Sequence, residues 1–204
     1  MAYKKVKLIE KSPLPLDQRV EVLLVYANQK PATILYIENR NYFFLNNYFA
    51  SKINTPFEKR LKKVQKLLDR LNISYETSEL EKFGGHVIYS DGTIRHLPLE
   101  RVLIYMARTH DKKDKLMTAS FQGDDYGQGR LFGFPETAIQ AFHGERNRFM
   151  GDLDHGNPQG YFTQFVFSQE FFDEEYKSTS IRWHDTVKRL SPRMYEQIRN
   201  RNLR

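Results

Sequence analysis

Twenty residues, Gly123-Asp124-Asp125-Tyr126-Gly127-Gln128-Gly129-Arg130-Leu131-Phe132-Gly133-Phe134-Pro135-Glu136-Thr137-Ala138-Ile139-Gln140-Ala141-Phe142, constrain this chain most. The segment holds four glycines and two adjacent carboxylates. Glycines at this density interrupt regular structure, allow positive φ and let backbone approach a ligand closely. Pro135 then suits the start of a short helix, whose first N–H groups have no partner within the helix. The spacing predicts a glycine-rich turn at Gly127, Gly129 and Gly133 that plants Phe132 and Phe134 and leads into a helix from Pro135 to Phe142, stopped near Gly144.

The charge of the chain is partitioned around this segment. Residues 1–120 carry 21 Lys and Arg against 13 Asp and Glu, residues 121–175 carry 3 against 10, and residues 176–204 carry 8 against 2. Eight of the 11 glycines also fall in 121–175. An acidic, glycine-rich insert therefore separates two basic segments, and basic segments point to polyanion partners. Composition excludes several chemistries. With 0 cysteines the chain has no disulfide, zinc-thiolate site, iron–sulfur cluster or cysteine nucleophile. No run of about 18 apolar residues occurs, so no membrane span is expected. The basic start, Met1-Ala2-Tyr3-Lys4-Lys5-Val6-Lys7, has no apolar core of a secretory signal. A cytoplasmic, soluble protein is the expectation.

Hydrophobic residues make up 40% of the 204, enough for a core without staples. Residues 1–15 read as an extended basic lead. From Asp17, Val20, Leu23, Leu24 and Ala27 share a helical face, although the β-branched content suits a strand as well. Thr33–Ile37 reads as a buried strand. Thr55-Pro56-Phe57-Glu58 has the form of a capping box opening a helix, with Phe57, Leu61, Val64, Leu67, Leu68 and Leu71 on one face. A strand at 73–77 follows, then a hairpin across Ser90-Asp91-Gly92 that sets His86 near His96. Pro98 is read as opening a helix carrying Val102, Leu103, Met106 and Ala107. In the last third, helices are expected over 169–176 behind Ser168, over 180–190 with Trp183, and from Ser191-Pro192 with Met194, Tyr195 and Ile198 inward. The class is α+β, with a small mixed or antiparallel sheet in the first half and a mainly helical second half. One domain over 1–204 is expected, divisible at about residue 120 into a basic α/β part and the insert with its C-terminal helices.

Gly129-Arg130-Leu131-Phe132-Gly133-Phe134-Pro135, with Phe142 downstream, resembles a Gly-x-Leu-Leu-Gly-Tyr-Pro-x-Cys-Cys motif of an uncharacterised prokaryotic domain family. The resemblance spans residues 129–142 and departs where Glu136-Thr137 or Thr137-Ala138 stand in place of the cysteines. It implies no activity. It implies that the turn into the helix is a structural unit.

Four sets of residues carry candidate chemistry. The glycine segment can cradle a phosphate, but its spacing is neither Gly-x-Gly-x-x-Gly nor a Walker loop, and Asp124 and Asp125 repel a bare anion. Asp124, Asp125, His143, Asp152, Asp154 and His155, with Glu145, form the densest set of hard and borderline metal ligands, suited to a divalent cation. Such a cation activates water against a phosphate ester. The plainer alternative makes these acids loop and cap residues. Lys59, Arg60, Lys62, Lys63 and Lys66, with Arg193, Arg199, Arg201 and Arg204, can neutralise a nucleic-acid backbone, with Tyr42, Phe43, Phe44 and Tyr48 available to stack on bases. The plainer alternative is a solvated helix face. His86 and His96, with His110, can build a site; the plainer alternative is a half-exposed structural pair. Two functions follow: a binder of nucleic acid, nucleotides or another polyanion through the basic segments, or a metal-dependent hydrolase of a phosphate-containing substrate through the acidic insert.

Overall fold

The computed structural model describes residues 2–38, 42–43, 51–52, 56–88, 94–151, 162 and 165–202. Helix α1 (Ala2–Glu10) replaces the extended lead expected from sequence. Val6 and Ile9, three residues apart, are buried on its inner side while its lysines face outward. Helix α2 (Leu16–Tyr26) follows Pro15 and settles the helix-or-strand ambiguity. Val20, Val22, Leu23, Leu24 and Val25 are all buried. Apolar residues extend beyond the single face of Val20, Leu23 and Leu24 to Val22 and Val25, so the sequence pattern suits a strand nearly as well as a helix.

The sheet comprises β1 (Ala32–Glu38), β4 (Ser74–Thr77), β5 (Glu81–Ile88) and β6 (Ile94–Ala107), with every pairing antiparallel. A separate two-stranded pair joins β2 (Tyr42–Phe43) to β3 (Ser51–Lys52). Strand β6 is the centre: β1 pairs along Arg101–Ala107, β4 along Ile104–Ala107, and β5 along Ile94–Arg101. The helix expected from Pro98 is therefore strand. Pro98 lies opposite Gly84, beyond the last residue of β6 that β1 pairs with, where a missing N–H is tolerated. The apolar run that mimics a helix is a strand covered on both faces. Ile104 and Met106 enter the large core, while Leu103, Tyr105 and Ala107 face a smaller cluster with Leu116. At the free edge of β1, Gln18 exchanges two hydrogen bonds with the backbone of Tyr36, at 3.0 and 3.3 Å, and so covers exposed strand groups.

Helix α3 (Phe57–Leu71) packs against α1 and β1. Helix α4 (His110–Gln122), which sequence reading passed over, starts at Thr109, whose hydroxyl accepts from the Lys112 N–H. It covers the sheet face opposite the main core. After α5 (Asp125–Leu131) and α6 (Glu136–Phe142), the chain returns through an isolated bridge, Arg148 to Ser168.

The helix expected over 169–176 begins only at Phe172. Ser168 is therefore not its cap: Phe171 holds that position without a side-chain cap bond, and the Ser168 hydroxyl accepts from the Phe171 N–H at 3.2 Å in the turn before the helix. From Phe172 the chain is continuous helix: α7 (Phe172–Glu175), a π-helical stretch (Tyr176–Ile181) and α8 (Arg182–Leu190). Ser191 caps α9 (Pro192–Asn202), accepting from the Met194 N–H at 3.3 Å, with Met194 and Ile198 buried as expected. The large core joins Val6, Leu23, Leu35 and Ile104 to Phe162, Trp183 and Met194, so elements from both ends of the chain share it. Lys30 is buried within this junction. Its ammonium donates to both oxygens of Glu21 at 2.8 Å and sits 4.3 Å from the Trp183 ring, which satisfies the buried charge twice.

Candidate functional site

The basic face begins with α3. Pro56 precedes the first turn and Glu58 lies within it, favoured by the helix dipole. Asn72 ends the helix in the left-handed region at φ 55°. Thr55, the expected cap, lies outside the described residues. At about 100° per residue, Lys59, Lys62, Lys63, Lys66 and Arg70 project within a sector of about 100°, over about 16 Å of axis. All five side chains are exposed, and none forms an ion pair among the described residues.

Arg60 does not belong with them. It is 3% exposed and its guanidinium donates to the Glu38 carbonyl, tying α3 to the end of β1. Burial pushes its pKa down and the Glu38 charge opposes that shift. Its place in a run of cations hid that it points about 110° around the helix from the middle of their sector, toward the core. Helix α1, packed beside α3, adds exposed Lys4 and Lys7, and exposed Lys11 follows its last residue. Lys7 is held protonated above the usual range, first by a hydrogen bond with Tyr3, although Arg193 of α9 is near enough to oppose the shift. Arg193 is exposed, whereas Arg199 is paired with Glu196 at 2.6 Å. Arg201 lies on α9, and Arg204 lies outside the described residues. Of the aromatics considered for base stacking, Tyr42 and Phe43 form β2 while Phe44 and Tyr48 lie outside the described residues.

The acidic insert folds differently from the turn expected of it. Gly127 and Gly129 lie inside helix α5. Each is small because something occupies the space of a side chain. A Cβ on Gly127 would stand 2.2 Å from Asp124 Oδ2, and one on Gly129 would stand 2.9 Å from Ile139 of α6. Asp124 caps α5 by accepting from the Gly127 N–H at 2.8 Å. Gly133 does form a turn, at φ 79°, where an added Cβ would stand 3.1 Å from Pro31. Pro135 caps α6 and Gly144, at φ 78°, closes it. The glycines thus serve helix packing and chain reversal rather than an open anion cradle.

Most acids of the insert have structural partners. Glu136 receives two bonds from Arg130, at 2.8 and 2.6 Å; this holds the Glu136 carboxyl below its ordinary pKa and raises that of Arg130. Glu145 accepts from the Tyr126 hydroxyl, which is pushed up to about 12, chiefly by that bond. Buried Glu175 accepts from Thr137 Oγ1, Ser168 N and Ser168 Oγ at 2.5–2.8 Å. His143 is exposed and stacks on Tyr126 with ring centres 4.1 Å apart. Among the described residues no three His, Asp or Glu side chains are grouped to hold a metal ion. Of the metal candidates, Asp152, Asp154 and His155 lie outside those residues. His86 and His96 face one another in the β5–β6 register, as the hairpin predicts, while His110 starts α4 beside Ser74 and Asp114.

One feature had no separate signal in the sequence. A cavity of about 510 Å³ opens between α5, α6 and residues 165–166. Its walls come from three segments, and Phe132 and Phe134 read simply as core residues until their neighbours are known. Among the described residues no helix is long and apolar enough to cross a membrane. Comparison with protein-family models, with curated proteins and with solved structures returned no match.

Proposed function

We propose that this protein binds nucleic acid, or a similar linear polyanion, along the basic face of α3 and α1, in the cytoplasm. The observation that carries the reading is the run Lys59, Lys62, Lys63, Lys66 and Arg70: five exposed cations in one sector, none ion-paired among the described residues. Some other exposed cations have carboxylate partners, as Lys115 has Asp111, Arg130 has Glu136 and Arg199 has Glu196, while Lys177, Lys188 and Arg189 have no ion pair among the described residues; what sets α3 apart is that five unpaired cations share one sector. A row of unneutralised cations repels itself, and a phosphate backbone relieves that repulsion while releasing condensed counterions. A rigid helix presenting four lysines, which are point charges, and one arginine mainly positions phosphates, so binding is expected to be sequence-tolerant.

The test is fluorescence anisotropy with labelled single-stranded RNA and double-stranded DNA of mixed sequence across a potassium chloride series. The expected slope of log K against log salt is about −3 to −5, and Lys59→Ala/Lys62→Ala/Lys63→Ala/Lys66→Ala reduces its magnitude by about 3. No binding at low salt, or a quadruple variant that binds as the parent does, would overturn the reading.

A further inference from the structure

The cavity between α5 and α6 has the size of a small-molecule site. Phe132 and Phe134 meet edge to face with centroids 5.8 Å apart, and Phe165 stacks on Phe134 at 5.1 Å. Ile139 of α6 continues the apolar wall, and Phe142, 52% exposed, forms its lip. Among the described residues two polar side chains join the lining, Asp125 and Gln128, about one turn apart on α5. Among the described residues lining the cavity Asp125 is the only charged one, and it forms no ion pair with any described residue. It stands apart from Asp124, Glu136, Glu145 and Glu175, whose oxygens are taken up by a cap, an arginine, a tyrosine and three buried donors.

We propose that this cavity binds a small amphipathic amine, with its flat apolar body among the phenylalanine rings and its protonated nitrogen at the Asp125 carboxylate. The charge pattern selects this class. Lys30 already stands 5.7 Å from the Phe134 ring centre and Arg148 5.9 Å from that of Phe142, so Asp125 is the group that selects charge: an organic anion meets its repulsion, whereas a cation is attracted by it and by the Phe132 and Phe165 ring faces. A neutral hydrocarbon fits the walls but displaces water from the carboxylate without replacing its hydrogen bonds. The Gln128 amide oxygen, one turn further along the helix, can accept a second N–H. Small residues shape these walls: a Cβ on Gly129 would stand 2.9 Å from Ile139, and the left-handed turn at Gly133 lies between the two phenylalanines that meet edge to face. No residue of α3 takes part, so the site is independent of the polyanion reading.

Isothermal titration calorimetry on the full chain tests the proposal with three probes of one shape: naphthalen-1-ylmethylamine, neutral naphthalen-1-ylmethanol and 1-naphthoate. The amine is expected to bind at least about ten-fold more tightly than the alcohol, and naphthoate most weakly. Asp125→Asn should abolish the difference between amine and alcohol, and Phe142→Ala should weaken both. Both substituted side chains are exposed, so an unchanged melting temperature shows that the variants are folded. Absence of binding by all three probes, naphthoate binding as tightly as the amine, or an amine preference that survives Asp125→Asn would each overturn the proposal.

Discussion

Helix α3 and the α5–α6 region carry charge in opposite ways. On α3 the cations stand in one exposed sector without ion-pair partners among the described residues. In the insert, most described acids are consumed by the fold: Asp124 by a helix cap, Glu136 by Arg130, Glu145 by Tyr126, and Glu175 by three donors. A count of charges makes both regions look like ligand sites. What differs is whether the protein has already spent the charge on itself. An acidic segment rich in glycine looks like a cation site in one dimension, yet its carboxylates satisfy N–H and O–H groups that would otherwise be orphaned.

The largest expected effect breaks the comparison at Glu175. Removing its carboxylate in Glu175→Ala leaves the Ser168 N–H and two hydroxyls without their acceptor in a buried site, costing about 3 kcal/mol or more. Urea unfolding measures this, and a loss below about 1 kcal/mol would show that the acids of the insert are not structural. Gly133→Ala comes next. It puts a Cβ 3.1 Å from Pro31 and holds alanine at φ 79°, so a loss of about 2 kcal/mol is expected. Gly123→Ala, at φ 66° with open space around it, isolates the backbone share and should cost about 1 kcal/mol by thermal melts.

The Arg130–Glu136 pair should matter less, because both side chains are about half exposed. The Glu136 pKa is depressed in the folded state, so its contribution is present above the ordinary glutamate range and is lost as pH falls through the lowered folded value. Arg130→Ala should move the carboxyl carbon titration of Glu136 upward by NMR and flatten the acid limb of the stability curve; an unmoved midpoint would contradict the pairing. The smallest stability effect is expected on α3. Replacing Lys59, Lys62, Lys63 and Lys66 with alanine should change unfolding free energy by less than about 0.5 kcal/mol per site, with any trend toward stabilisation. A large loss would mean these lysines are structural, and the contrast between the two regions would collapse.

Much of the fold was legible locally. The hairpin register setting His86 opposite His96, the amphipathic α3, the Ser191-Pro192 start of α9 and the helix after Pro135 all follow from short-range patterns that the structure repeats. The failures share a cause. Helix α2 and strand β6 are covered on more than one side, which erases the periodicity that tells helix from strand. Helix α5 contains glycines that local propensity counts as breaks, yet here they let α6 and the Asp124 cap come close. For the site, the basic run was legible residue by residue, but the exclusion of Arg60 and the addition of α1 were not.

By itself the sequence determined the α+β class, the chain's alternation of basic and acidic segments, and the side of α3 that meets water, because these depend on residues within a few positions of one another. Tertiary structure alone decided which charges remain available to a ligand and that Phe132, Phe134, Phe142 and Phe165 wall a cavity with Asp125 at hand. Whether a carboxylate is paired, and whether a ring packs or lines a space, depends on partners far along the chain that only folding brings within a few ångströms.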